Sequence, residues 1–298
     1  MRLHEVLVSD LCRLPTEVLC HIFIHCLPQA GYTLPNSKSP PMLLTRICRR
    51  WREIATDMPS LWCRLSMDIN HATSRNWRQA VFCYDLWFKR TQGRPLSLEI
   101  MCIKNDTTDL RTLFQPYVSQ ISSLKITFDK AVAPEILLND LPALQELRVD
   151  ISHDVVVKDR NILACILPPI SRLFTLRGLK LETLSPYDIA RLNPAWPLTN
   201  VNLDICDPST IIGLLRLFFN LSSLKIYMLF DDGSPLEPFT HSTIQFFSIT
   251  FVVTTLMPSV RDQLVHLFDA LTLPNLRVLH VEGRSWPRVE DLILQYGK

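Results

Sequence analysis

The feature that most constrains this chain is a phrase, apolar-x-x-apolar-x-apolar, that returns again and again after residue 95. It occurs as Pro95-Leu98-Ile100, Ile121-Leu124-Ile126, Leu144-Leu147-Val149 and Leu176-Leu179-Leu181, then as Leu198-Val201-Leu203, Leu221-Leu224-Ile226, Ile244-Phe247-Ile249 and Leu276-Leu279-Val281. The last positions advance by 26, 23, 32, 22, 23, 23 and 32 residues. Apolar residues two apart share one face of an extended chain, so each phrase predicts a short strand with one buried side. A return in the twenties leaves room for one connection per strand, and apolar stretches such as Asp109 to Phe114 and Pro208 to Phe219 predict helices there. The two 32-residue steps fit longer connecting helices or insertions.

A length of 298 residues suits two unequal domains. Hydrophobic content of 47% with 20% charged residues describes an ordered chain. Lys and Arg number 31 against 29 acids, and a net charge of +2 gives no general reason to expect nucleic acid or a membrane surface as partner. Seven glycines argue against phosphate-cradling loops, while 21 prolines punctuate short elements. Nine cysteines lie mostly within apolar periodic segments and form no CxxC pair. The opening MRLHEVLVSDLCRLP lacks the pattern of a secretory signal, so a reducing compartment, cytoplasmic or nuclear, is expected. Ile211 to Phe230 is apolar enough to mimic a membrane span, but Arg216, Asn220 and Lys225 would be costly at bilayer depth; a short buried helix running into a strand is expected instead.

The N-terminal third has helical periodicity. From Pro15 to Leu27 the residues Val18, Leu19, Ile22, Phe23, Cys26 and Leu27 form one stripe, with Glu17 near the helix start and Pro28 at its end. After a loop over 28–41, a second helix is predicted from Met42 to Asp57. It places Leu43, Leu44, Ile47, Trp51, Ile54 and Ala55 on one face and Arg46, Arg49, Arg50 and Glu53 on the other. Met58-Pro59-Ser60-Leu61-Trp62 closes the segment with a turn and an apolar anchor.

Leu14-Pro15-x-Glu17-Val18-Leu19-x-x-Ile22-Phe23, then Ile47-Cys48-Arg49-Arg50-Trp51-Arg52-x-Ile54-Ala55, then Pro59-x-Leu61-Trp62, resembles the F-box over residues 13 to 62. The stretch Leu86-Trp87-Phe88-Lys89-Arg90 through Gly93-Arg94-Pro95-Leu96-Ser97-Leu98 is similar to the expanded fungal F-box families, in which a helix bridges the F-box and repeats. The recurring phrase itself resembles the leucine-rich-repeat signature. The family's Asn or Cys beyond the core is matched only by Cys206, so turn hydrogen bonds must be met by other means.

These resemblances imply an α+β chain: a small all-α F-box over residues 8–66, a linker helix over 67–93, and an α/β leucine-rich-repeat-like solenoid over 94–298. They imply an SCF-type ubiquitin-ligase substrate receptor that is not itself an enzyme. Its adaptor-binding positions would be Leu14, Pro15, Val18, Leu19, Ile22, Phe23 and Trp51, which dock a Skp-family adaptor and through it a cullin. Strand residues alternating with the buried leucines, Lys125, Thr127, Arg148, Lys180, Lys225, Tyr227 and His280, would meet an unknown protein substrate. Three readings compete: a leucine-rich scaffold outside any ligase, a mixed α/β domain with one parallel sheet, and an enzyme built on such an α/β core.

Other chemistry finds little footing. His21 and His25, four apart with Cys20 and Cys26 nearby, cannot converge on one metal from a single short helix, so they are expected as surface histidines with no metal. The basic run Arg46, Arg49, Arg50 and Arg52 could hold phosphate or a calmodulin-like partner but is expected to be a solvated or adaptor-facing helix side. His153-Asp154 has no nucleophile in a recognisable setting. No GxSxG, HExxH, GxGxxG or P-loop occurs, and no cofactor is expected.

Overall fold

A computed structural model describes residues 13–29, 31–69, 74–102, 108–128, 138, 141–151, 167–184, 186–205, 208–228, 236–251 and 260–283. Backbone packing divides the chain into two compact units, Met1–Val132 and Ala133–Lys298. Both are mixed helix and strand, and their principal strands run parallel.

The first unit begins with helix α1 (Thr16–His25), started by Pro15, whose carbonyl accepts from the Leu19 amide at 3.1 Å. Only Leu19 and Phe23 of its apolar stripe are buried; Ile22 and Leu27 are partly covered, and Val18 and Cys26 face solvent. So small a helical segment covers little more than one i, i+4 ridge. The predicted helix from Met42 to Asp57 is instead two, α2 (Leu44–Ile47) and α3 (Arg49–Thr56). Cys48 breaks them with extended backbone, φ −153° and ψ 171°, and its Sγ accepts the Trp51 amide at 3.4 Å as an N-terminal cap. Arg52 spans the break, its Nε donating to the Thr45 carbonyl at 2.8 Å. The interruption changes the helical phase. Leu44, Trp51 and Ala55 are buried as predicted, but Leu43 and Ile47 turn outward.

Aromatic side chains lock this segment. Phe23 packs on Trp51 with ring centroids 4.9 Å apart. Trp62, fully buried after the turn Pro59–Leu61, donates its indole N–H to the Ala55 carbonyl at 2.8 Å. It also meets Trp87 edge-on at 4.8 Å, and the Trp87 indole donates to the Trp62 carbonyl at 2.7 Å. Trp87 belongs to α4 (Ser74–Arg90), whose Arg90 guanidinium sits 4.3 Å from the Trp62 ring centroid.

Strand β1 (Arg64–Asp68) follows Trp62 directly and was not anticipated from the sequence. Its Leu65 and Met67 are fully buried, and it pairs in parallel with β2 (Leu96–Cys102), which pairs in turn with β3 (Ile121–Phe128). Helix α5 (Thr108–Phe114) lies between the last two in sequence. These strands therefore group with the helices. The expected division at 93/94 marks where the phrase begins to recur, whereas compaction divides the chain at 132/133.

The second unit carries β4 (Glu146–Ile151), β5 (Gly178–Leu184), β6 (Asn200–Ile205), β7 (Ser223–Met228), β9 (Phe246–Phe251) and β11 (Val278–Gly283), each parallel to the next. The two-residue strands β8 (Phe239–Thr240) and β10 (Leu271–Thr272) pair separately. Helices α6 (Pro186–Ile189), α7 (Pro208–Leu217) and α8 (Val260–Ala270) occupy three of the returns. The apolar run from Ile211 is thus a buried helix followed by a strand, and no described helix is long and apolar enough to cross a membrane.

One hydrogen-bond figure recurs at the entries of β5, β6, β7, β9 and β11. Two consecutive amides donate to a single carbonyl at the equivalent position one strand back. Arg177 and Gly178 donate to Gln145, Thr199 and Asn200 to Arg177, Ser222 and Ser223 to Thr199, Gln245 and Phe246 to Ser222, and Arg277 and Val278 to Gln245, all between 2.8 and 3.0 Å. Side chains add to it. Thr175 Oγ1 donates to the Leu144 carbonyl at 2.7 Å, Thr243 Oγ1 to Phe219 and Leu221 at 2.7 and 2.9 Å, and Asn275 Nδ2 to Ser242 at 2.6 Å. These bonds satisfy turn carbonyls where the sequence has no regular Asn or Cys; Cys206 lies outside the described residues. Leu147, Leu179, Val201, Leu224 and Phe247 fill the core, whereas Leu279 is 40% exposed because β11 has a neighbour on one side alone among the described strands.

Candidate functional site

The helical segment offers the first candidate surface. Of the residues expected at an adaptor contact, Leu19, Phe23 and Trp51 lie in the core, Leu14 and Ile22 are partly covered, and Pro15 and Val18 are exposed. The buried three set the shape of the segment; the others are open to a partner. The sequence reading missed Ile24, Leu43 and Ile47 as exposed apolar side chains. Ile47 was hidden by the assumption of one continuous helix. Val18 at 42% and Ile47 at 44% exposure are aliphatic groups that water solvates poorly.

The basic run has mostly internal work. Arg50 Nη2 donates to the Leu14 carbonyl at 2.7 Å, fastening the start of α1 to α3, and Arg52 holds α2 to α3 as described. Arg49 pairs with Glu53 at 2.8 Å on the exposed side, a weak i, i+4 contact, and Arg46 reaches the Ser37 carbonyl at 3.4 Å. His21 and His25 are both exposed, and among the described residues no group of three or more His, Cys, Asp or Glu is placed to hold a metal ion. His153 and Asp154 lie outside the described residues.

Perturbed ionisable groups cluster around α4. Asp85 is held below the usual carboxylate range by hydrogen bonds from Lys89 and from the Tyr117 hydroxyl, the latter at 2.8 Å. Burial and that same bond push Tyr117 up to about 12, and burial pushes Tyr84 up to about 12. Burial also raises the Cys63 thiol against the lowering effect of Arg94, which keeps it protonated. Burial lowers Arg90 from its ordinary value.

The strand faces offer the second candidate surface. In the first unit Lys125 stands beside Glu99 in register and pairs with it. In the second unit the parallel registers bring Arg148, Lys180, Asn202, Lys225, Ser248 and His280 into one row across six strands. Arg148 pairs with Asp150 at 2.7 Å, and His280 Nε2 lies 3.8 Å from Glu282. Lys225 rests 5.3 Å from the Phe246 ring centroid. Tyr227 lies one alternation further along β7 and is partly covered. Of the strand residues expected to meet a substrate, Lys125 and Thr127 belong to the first unit and Arg148, Lys180, Lys225, Tyr227 and His280 to the second.

A compact helical segment with outward aliphatics is thus followed by parallel strands with a polar face. Residues 11–68 match the F-box-like family model, so an F-box-like domain occupies this part of the chain. Comparison of the whole chain with curated proteins and with solved structures returns no match.

Proposed function

We propose that this chain is the substrate-recognition subunit of an SCF-type ubiquitin ligase, docking a Skp-family adaptor through residues 11–68 and presenting the strand rows of a leucine-rich-repeat-like array to a protein substrate. The observation that carries this reading is the F-box-like match, since F-box domains generally bind Skp-family adaptors. The outward side chains of Pro15, Val18 and Ile47 support it, being apolar anchors of the kind that seat a helix in a groove. The recurring strand-entry bonds support the repeat reading, because a stack of equivalent units needs one bonding pattern reused at each step. Holding substrate and ubiquitin-loaded enzyme together raises their effective concentration; no group on this chain need take part in bond making. A cullin follows only through the adaptor, and a reducing compartment suits the free thiols of Cys20, Cys26, Cys48, Cys63 and Cys83.

Co-purification with the adaptor tests the reading. The chain should bind, and Val18→Asp with Ile47→Asp should weaken binding by roughly a hundredfold through loss of two apolar anchors and burial of charge. Both positions are exposed, so the thermal midpoint should barely move. Adaptor binding without recruitment of cullin, or binding of neither, would favour the scaffold reading; failure of the wild type to bind the adaptor would end the ligase reading.

A further inference from the structure

Between Glu17 and Glu53 the chain carries no acidic residue, while Lys38, Arg46, Arg49, Arg50 and Arg52 all fall inside that stretch. Three of these cations are engaged, Arg49 with Glu53, Arg50 with the Leu14 carbonyl and Arg52 with the Thr45 carbonyl. Lys38 and Arg46 are exposed and make no ion pair among the described residues. Arg46 reaches back from α2 to the preceding loop, where its Nη1 donates to the Ser37 carbonyl at 3.4 Å. The strand beside that loop opens on another cation: the Thr33 amide donates to the carbonyl of exposed Arg64 at 3.3 Å, and the strand's acid, Asp68, stands four residues further on.

Ser39 lies in this basic loop and precedes Pro40. Its hydroxyl has no hydrogen-bond partner among the described residues. The Ser39 amide donates to the Asn36 carbonyl at 3.1 Å, closing a turn that keeps Ser39 near the Ser37 carbonyl held by Arg46. The Ser39 carbonyl accepts the Leu43 amide at 2.9 Å, so the residue also adjoins exposed Leu43 and, one helical turn on, exposed Ile47. Ser-Pro recurs at Ser185-Pro186 and Ser234-Pro235, but acids lie within three residues of both: Glu182 and Asp188 about the first, Asp231, Asp232 and Glu237 about the second. A dianion is repelled at those two sites and attracted at Ser39.

We propose that Ser39 is a phosphorylation site for a proline-directed protein kinase, that Lys38 and Arg46 hold its phosphate, and that the phosphate weakens adaptor docking. In the transfer the Ser39 hydroxyl oxygen attacks the γ-phosphorus of ATP. The Oγ–P bond forms as the bond to the β,γ-bridging oxygen breaks, ADP leaves, and the hydroxyl proton passes to the kinase's carboxylate base. Pro40 has no amide N–H to satisfy, which suits a cleft that is apolar just after the acceptor. Ser39 is partly covered, but the bonds that hold it are local turn bonds, cheap to open. The phosphate brings a charge of about −2 and three acceptor oxygens, matched to a guanidinium fork and an ammonium. Beside Leu43 it obliges any partner that buries Leu43 and Ile47 to strip water from a dianion. That last step rests on the reading of this segment as the adaptor-docking surface; the modification itself does not.

The test treats the full chain with a purified proline-directed kinase and ATP and maps phosphate by mass spectrometry. Phosphate should appear at Ser39, be lost there in S39A and fall about tenfold in P40A. Phosphate at Ser37, Ser185 or Ser234 with none at Ser39, or no phosphate at all, would overturn the proposal. Phosphorus NMR reads the clamp: the second ionisation, at about 6 for an unclamped phosphoserine, should lie lower in the folded chain and return toward the free value in K38Q with R46Q. A midpoint equal to that of the urea-unfolded chain would overturn the clamp. Adaptor affinity on the same samples should fall about tenfold on phosphorylation of the wild type and stay unchanged in kinase-treated S39A. Equal affinity before and after phosphorylation overturns the effect on docking. Failure of the unphosphorylated chain to bind sinks the docking reading and that effect with it, while the mapping and the phosphorus titration still decide the site.

Discussion

The helical segment and the strands of the second unit are held together in opposite ways. In the helical segment, few contacts do most of the holding, and nearly all are side-chain contacts: Phe23 on Trp51, Trp62 to Ala55, Trp87 to Trp62, Arg50 to Leu14. Each occurs once. In the second unit a repeated apolar core is joined by a backbone bonding figure used at the entries of β5, β6, β7, β9 and β11. A structure fixed by unique side chains keeps one shape, which is what a docking surface for one partner requires. A structure fixed by backbone leaves its outward side chains free to differ, which suits a surface whose partners differ.

The largest expected effect sharpens this contrast. Trp62→Ala removes a fully buried indole, its hydrogen bond and its edge contact with Trp87, and should cost about 3 to 5 kcal/mol. Leu224→Ala, at an equally buried position, should cost about 2 to 4 kcal/mol, because neighbouring strands supply equivalent contacts. Denaturant unfolding followed by tryptophan fluorescence and by circular dichroism checks both. The contrast breaks if Leu224→Ala abolishes adaptor binding while Trp62→Ala leaves it intact.

A smaller effect concerns the strand entries. Thr243→Val removes the hydroxyl that serves the Phe219 and Leu221 carbonyls and should cost about 1 kcal/mol. Because the backbone pair from Gln245 and Phe246 to Ser222 remains, the transition should stay cooperative. A loss of several kcal/mol would mean that side chains govern this unit too.

The smallest effect is one of pH. Tyr117 is raised from near 10 to about 12, so the stability tied to its bond with Asp85 is present below about pH 10 and fades as pH rises toward 12. Asp85 is lowered, so its share is present above the ordinary carboxylate range and fades as pH falls through its depressed value. Tyr117→Phe should flatten the alkaline limb in part, since burial still raises Tyr84 to about 12 and raises Cys63, and the acid limb in part, since Lys89 still holds Asp85 at 2.7 Å. Midpoints measured across pH in wild type and variant decide it; identical limbs would mean the Asp85–Tyr117 bond does not couple to folding.

Much of the second unit was legible because alternation survives translation into structure. Each recurring phrase lies in or leads into a strand, and the residue between the two final apolar positions lies on the face opposite them whatever the register. Register itself was not legible, since it depends on how long each return is. Arg148 and Asp150, two apart on one strand, could be foreseen as neighbours; Lys180 beside Asn202 could not. Strand β1 escaped because Leu65 and Met67 make one isolated alternation, too short to stand out. The break at Cys48 escaped because cysteine is no helix breaker; its thiol capped the next turn only once the chain had bent. Leu19 and Val18 looked alike in sequence, and only the thinness of the segment decided which was covered.

The doubled amide bond at the entries of β5, β6, β7, β9 and β11 is accepted by a backbone carbonyl whatever side chain its residue carries, with the Ser222 and Thr199 hydroxyls adding to it at two junctions. Descendants of this chain can therefore exchange the residues on its polar face without renegotiating how successive strands join. Whole strand-and-return units can likewise be gained or lost by duplication, with the same seam at each junction. The polar strand face is the part whose architecture places the least demand on sequence, so it can drift fastest while the chain still folds.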